Sequence, residues 1–294
     1  MFPPRHLYTV PLAHGGRLCF GERPLIMGIL NVTPDSFAES ALRLDPARAV
    51  DAALQMEAEG ADVIDIGGES TRPGAEPVGA SEEIARILPV LEGLAGRLRV
   101  PISVDTYKAD VARMALEAGA GLVNDISGLG YDPELGSVVA ARGAAIVLMH
   151  TRGRSKAMYA EAAYKHVIAD VAVELQASVA AATAAGVTID RVIVDPGIGF
   201  AKRAPDSYGV LARLSELAAA LDRPVLVGPS RKSFLHDEVG GRPPVERDWG
   251  TAAAVAAAVL AGAHMVRVHA VGEMVQVVRT AEQIRRAGLP TAYR

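Results

Sequence analysis

"PISVDTYKADVARMALEAGAGLVNDI" (101–126) packs a strand, a helix and a second strand into one short run. "PISVD" (101–105) and "GLVNDI" (121–126) are apolar and β-rich, and an Ala-rich amphipathic stretch over 107–118 joins them. Gly119 stands where a helix C-cap is needed before the second strand is entered. Apolar runs that scarcely alternate are buried on both faces, the habit of parallel strands covered by helices. The stretch therefore reads as one βαβ unit.

The same unit recurs along the whole chain. Strands are expected at 24–30, 62–66, 144–149, 191–195, 223–228 and 264–269 as well. Helices are expected at about 46–59, 81–98, 132–142, 161–185, 206–221, 246–262 and 271–287, several closed by glycine (Gly60, Gly143, Gly186). Six such units would suggest an open doubly wound sheet, whereas eight in 294 residues suggest an α/β TIM barrel, (β/α)8. No low-complexity linker divides it. One barrel domain is expected over 24–294, with residues 1–23 as a short N-terminal extension that plugs the barrel bottom.

Composition narrows the partners. Half of the residues are hydrophobic, and a net charge of −4 with a pI of about 6.0 argues against nucleic acid. The single cysteine, Cys19, can form no internal disulfide, which suits a reducing cytosol; it is expected as a small buried hydrophobe. "MFPPRHLYTV" has no apolar core of a signal peptide, and the longest uncharged run, 251–266, is shorter than the roughly 18 residues of a membrane span. A soluble cytoplasmic protein is expected.

In such a barrel the C-terminal ends of the strands form the functional face. Here they carry Asn31, Asp65, Asp105, Asn124, His150, Asp195, Lys232, Arg267 and His269. Any one of these is unremarkable, and Asp or Asn at a strand end is more often a helix N-cap or turn former; together they read as a site. Arg267 and His269, two apart, share one face, and Arg267 needs an anion, either a ligand or a rim aspartate. Lys232, Arg267, His269, Asn31, Thr71 and Arg72 around one mouth suit a diphosphate with a metal ion. Asp105, Asn124 and Asp195 on the other side suit a flat, nitrogen-rich heterocycle.

These residues fall in segments that resemble dihydropteroate synthases: "MGILNVTPDSF" (27–37), "GADVIDIGGESTRPGA" (60–75), "ISVDT" (102–106), "VNDISG" (123–128), "LMH" (148–150), "VDPGIGFAK" (194–202), "SRKS" (230–233) and "RVH" (267–269). The resemblance implies that 6-hydroxymethyl-7,8-dihydropterin diphosphate and para-aminobenzoate are joined to dihydropteroate with release of diphosphate, by an SN1-like path with Mg²⁺. It implies Asn31 at the Mg²⁺, and Thr71, Arg267 and His269 at the diphosphate. Asp105, Asn124, Asp195 and Lys232 would surround the pterin, and Arg72, Phe200 and Ser230 the para-aminobenzoate, again with Lys232.

Four places depart from the family's usual residues: "SFAES" (36–40), Thr151, Pro229 and Ala270. Two other readings share the barrel. A pterin-binding methyltransferase would use the acidic pocket but has no need of "SRKS" with "RVH"; a silent paralogue would bind pterin or scaffold a partner enzyme without turnover. A homodimer is expected through helices 250–263 and 272–286, because "GTAAAVAAAVLAGA" (250–263) has no charged face to show to water.

Overall fold

The computed structural model describes residues 2, 5–33, 45–72, 74–154, 159–160 and 162–289; the atypical "SFAES" segment lies outside them. An antiparallel hairpin comes first, β1 (Tyr8–Pro11) paired with β2 (Arg17–Phe20). Then follow β3 (Leu25–Asn31), α1 (Pro46–Glu59), β4 (Val63–Gly67), α2 (Ala80–Leu94), β5 (Ile102–Asp105), α3 (Ala109–Glu117), β6 (Leu122–Asp125) and α4 (Leu135–Ala141). The second half holds β7 (Ala145–Met149), α5 (Val167–Ala184), β8 (Val192–Asp195), α6 (Ala204–Ala212) and α7 (Leu214–Leu221). It ends with β9 (Leu226–Val227), α8 (Asp248–Leu260), β10 (Met265–Val268) and α9 (Val271–Ala287).

Strands β3 to β10 form one parallel sheet in the order β8-β7-β6-β5-β4-β3-β10-β9. A bridge between Val194 and Val225, with Val194 N donating to the Pro224 carbonyl at 3.0 Å, joins its two ends. The sheet is thus a nearly closed barrel, as the repeat of strands and helices led us to expect. The seventh barrel strand is shorter than its apolar run. Pro224 and Pro229 flank β9, and neither has an N–H to give to a ladder.

The period of two along each strand decides what fills the barrel. Ile64, Ile66, Val104 and Val123 face the helices. Met27, Val63, Leu122, Val147, Ile193, Leu226 and Met265 face inward, and Val10, Leu12, Leu18 and Phe20 of the hairpin pack onto them. The lower barrel is therefore apolar and plugged by the hairpin. One turn of pleat higher, the inward positions become polar, and that change of chemistry places the site.

Two expectations need correction. Cys19 is exposed, because Leu18 and Phe20 take the inward face of β2 and leave it the outward one. The helix expected over 206–221 breaks at Arg213 (φ −117°, ψ 27°), and both pieces bury a leucine beside the break, Leu211 and Leu214. On α8 the valines Val255 and Val259 are fully buried, so the outward stripe is Trp249, Ala253 and Ala257. α5 is long and apolar enough to cross a membrane by length and composition alone; here it is a barrel helix whose Val171 and Leu175 are completely buried.

Candidate active site

A cavity of about 420 Å³ opens at the C-terminal ends of the strands. Asn31, Thr71, Arg72, Asp105, Phe200, Ser230, Lys232, Arg267 and His269 all line it. Asn124 and Asp195 are not among its lining residues. They are buried beside it, Asn124 donating to Asp65 at 2.9 Å and Asp195 accepting from Gly197 N at 2.7 Å.

Arg267 settles the question its sequence position raised. Its Nε donates to Asp65 Oδ2 and its Nη2 to Asp105 Oδ2, each at 2.6 Å. The rim aspartates are the partners, and the guanidinium still lines the cavity. Asp65, completely buried, therefore sets both Arg267 and Asn124 with one oxygen, while its Oδ1 has no hydrogen-bond partner. Burial pushes the Asp105 carboxyl up to about 7, against the pull of Arg267 and with a further push from Asp65.

His269 is fixed by Ser230. Its backbone N–H donates to Ser230 Oγ at 3.2 Å, and the hydroxyl is left to donate to Nδ1 at 2.9 Å. Burial, then Arg231 and Arg267, lower its pKa to about 3, so the ring is neutral and carries its proton on Nε2. It is a hydrogen-bond donor ready for an anion.

Lys232 reaches over the strand ends to Phe200. Its Nζ donates to the Ile198 carbonyl at 2.6 Å and stands 4.4 Å from the centre of the Phe200 ring. Burial lowers its pKa to about 8, against the attraction of Asp195. The Phe200 loop is held from behind by a second lysine. Lys202 Nζ, almost wholly buried, donates to His150 Nδ1 at 2.7 Å and to the carbonyls of Gly197 and Phe200, both at 3.2 Å. His150 Nε2 in turn meets Glu174 at 2.9 Å, and Arg152 holds the same carboxylate. The mouth of "DIGGESTRPG" (65–74) is anchored likewise. Glu69 accepts from Val78 N (3.0 Å), Tyr107 Oη (2.9 Å) and Lys108 Nζ (2.5 Å), which fixes the loop that carries Thr71 and Arg72.

An inward ring of cations and hydroxyls thus meets buried carboxylates at the mouth of the barrel. The model of the pterin binding enzyme family fits residues 27–269. A dihydropteroate synthase from Synechocystis is 44% identical over 97% of this chain and 96% of its own length. The chain is a member of the dihydropteroate synthase family. Among solved structures, the Burkholderia cenocepacia dihydropteroate synthase complexed with 7,8-dihydropteroate has a TM-score of 0.85 and 42% identity, covering 96% of this chain and 98% of that one. The Xanthomonas albilineans enzyme with 4-aminobenzoic acid has a TM-score of 0.87 and 39% identity, covering 96% of this chain and 100% of that one.

Of the family's departures, Ala270 has a visible consequence. It is the N-cap of α9 and gives that helix no side-chain cap. Asp65, Lys202 and Glu174 are the residues whose part the sequence did not assign. In the sequence Asp65 reads only as a polar strand end, a signal that says where a carboxylate is and not what it holds.

Proposed function

We propose that this member of the dihydropteroate synthase family condenses 6-hydroxymethyl-7,8-dihydropterin diphosphate with para-aminobenzoate, giving 7,8-dihydropteroate and diphosphate. The observation that carries the reading is the shared contact of Arg267 with Asp65 and Asp105. It sets a cation at the diphosphate end of the cavity against carboxylates at the pterin end.

The bond that breaks joins the methylene carbon to the diphosphate oxygen, and its electron pair leaves with diphosphate. Arg267 and the Nε2–H of His269 stabilise that departing charge, with Thr71 beside them. The pterin ring, which feeds electrons into the methylene carbon, is held by Asp105, Asn124, Asp195 and Lys232; the carboxylates offset its positive charge. The amine nitrogen of para-aminobenzoate then forms the C–N bond and loses one proton to solvent. Arg72, Phe200, Ser230 and Lys232 hold that second substrate, with the ring beside Phe200. Positioning, rather than deprotonation, is the protein's task for so weakly basic an amine.

Mg²⁺ fits this site as a companion of the diphosphate. Asn31 and Thr33 line the cavity with oxygen donors, and among the described residues no three His, Cys, Asp or Glu side chains cluster as a metal cage. That is the donor set of an ion bound mainly through substrate phosphates and water. Asn31 would hold it, and when bound it supplies further neutralisation of the leaving group.

The assembly we propose is a homodimer through α8 and α9. Trp249 is 87% exposed at the start of the uncharged stripe of α8, and Ile284 of α9 is 53% exposed. Light scattering at micromolar concentration should give twice 30.7 kDa; the monomer alone would remove this part. A cytoplasmic setting accords with the reduced cysteine. The activity is tested by incubating the protein with both substrates and Mg²⁺. Dihydropteroate and diphosphate should appear in equal amounts, and their absence would overturn the reading.

A further inference from the structure

Beyond β9 the chain turns so that Ser230 and Lys232 line the cavity, together with Arg231 and Arg247. Arg231, between them, has a φ of 59°, in the left-handed region that residues with a Cβ rarely adopt. A conformation of this kind persists only where the surroundings impose it.

The surroundings here are the first turn of α8. Arg231 N donates to Thr251 Oγ1 at 3.0 Å. The Arg231 guanidinium donates through Nε and Nη2 to Asp248 Oδ1 and Oδ2, at 2.8 and 2.7 Å, a two-point pair that fixes direction as well as distance. Arg247 Nη1 donates to the carbonyls of Arg231 (3.4 Å) and Lys232 (3.1 Å). Arg247 is itself buried and anchored, its Nε on the Arg242 carbonyl at 2.8 Å and its Nη2 at 2.9 Å from His236 Nδ1. All the contacts to the turn end on the backbone of residues 231 and 232 or on the Arg231 side chain. None of them uses the Ser230 hydroxyl or the Lys232 ammonium, which remain for His269 and for the Phe200 loop.

We infer that Arg247, Asp248 and Thr251 are positioning residues for the condensation: they hold Arg231 left-handed and so aim Ser230 and Lys232 together into the cavity. The inference rests on the proposed reading of those two residues as part of the para-aminobenzoate site. If Arg231 returned to a right-handed or extended backbone, the chain direction after Ser230 would change. Lys232 would then lose its place above Phe200. The seat of the second substrate would loosen while Arg267, on another strand, stayed where it is.

A rescue experiment tests this. Asp248→Ala should raise the KM for para-aminobenzoate about tenfold, since a displacement of the order of an ångström in a positioning group suffices for that. The affinity for the pterin diphosphate, read by calorimetry, should fall by less, because Arg267 and Asp105 hold that substrate from other strands and only Lys232 and the Ser230-bound His269 are disturbed. Glycine takes a positive φ without help. The double variant Arg231→Gly/Asp248→Ala should therefore match Arg231→Gly alone, with no added loss. If the two losses multiply instead, Asp248 does not act through the Arg231 backbone and the inference is overturned. A role in stability alone would lower the melting temperature of Asp248→Ala and leave KM unmoved, which also overturns it. Should Asp248→Ala fail to fold, Asp248→Asn, which keeps the side chain's shape, enters the same cycle. Failure of the underlying reading looks different: the unaltered protein would then bind no para-aminobenzoate in the presence of diphosphate.

Discussion

Arg267 Nη2 stands 2.6 Å from Asp105 Oδ2, so a cation and a buried carboxylate that both line the cavity are one ion pair. The Nε of the same guanidinium is equally close to Asp65 Oδ2. Replacing this arginine therefore does two things at once.

Arg267→Ala should weaken binding of the pterin diphosphate by about 10- to 100-fold, the loss of one or two charge-assisted contacts. It should also destabilise the fold by about 3–5 kcal/mol, because two buried carboxylates lose their cation. Calorimetry gives the first quantity and urea unfolding the second, and an unchanged midpoint would contradict the ion-pair account.

Lys202→Met keeps the length of the side chain and removes its donors. The Gly197 and Phe200 carbonyls lose a partner, and Phe200 is no longer held to the end of β7. We expect the KM for para-aminobenzoate to rise about tenfold, a misplacement effect, with the dissociation constant of the pterin diphosphate nearly constant. Equal changes in both would show that Lys202 supports the whole cavity and not the Phe200 loop.

Gly197→Ala should be among the most damaging single-methyl changes. Gly197 has a φ of 68°, and an added Cβ would lie 1.9 Å from the His150 carbonyl oxygen. Backbone would have to move, on a loop that ends at Phe200. A loss of more than about 2 kcal/mol is expected from the combined clash and strain, measurable by denaturant unfolding. A stability within 0.5 kcal/mol of the parent, roughly the scatter of harmless surface changes, would sink the prediction.

Acid should weaken the fold earlier than carboxylates alone would cause. Burial lowers the pKa of His150 to about 4, of His264 to about 3 and of His269 to about 3. Each is depressed below its unfolded value of about 6.5, so the stability it contributes is present above that pH and is lost as pH falls through the folded value. Asp105 acts in the opposite sense. Its folded pKa is raised to about 7, so its contribution is present below its unfolded value and is lost as pH rises through about 7. Burial raises Glu83, Asp125 and Asp195 as well, so four carboxylates oppose the three histidines, and the histidine part is read by difference: the urea midpoint of His264→Gln should fall less than that of the parent between about pH 6.5 and 4. The same pH dependence in both proteins would mean that His264 is charged in the fold.

The sequence made the barrel legible because burial on both faces leaves a mark on every strand, and β9 was overestimated only where prolines interrupt pairing. The rim was legible for a similar reason: polar residues at the ends of apolar runs stand out. What the rim residues hold was not. Asp65 and Arg267 lie 202 residues apart, and no local pattern joins them. Lys202 in "GFAK" reads as an ordinary exposed lysine until the fold buries it. Cys19 shows the reverse, a small apolar-looking residue turned outward by the pleat it happens to occupy.

Trp249 is the only tryptophan in the chain, and its indole stands in water at the head of α8. Emission from this protein excited in the indole band thus comes from one ring at one place. If a second copy covers α8, that light should move to shorter wavelength and become harder for iodide to quench, and dilution should reverse both changes. Asp248, the residue before Trp249, holds Arg231 in the turn that seats Lys232. The same ring would then respond to what happens around the second substrate, so a single optical signal can follow both assembly and occupancy without any added label.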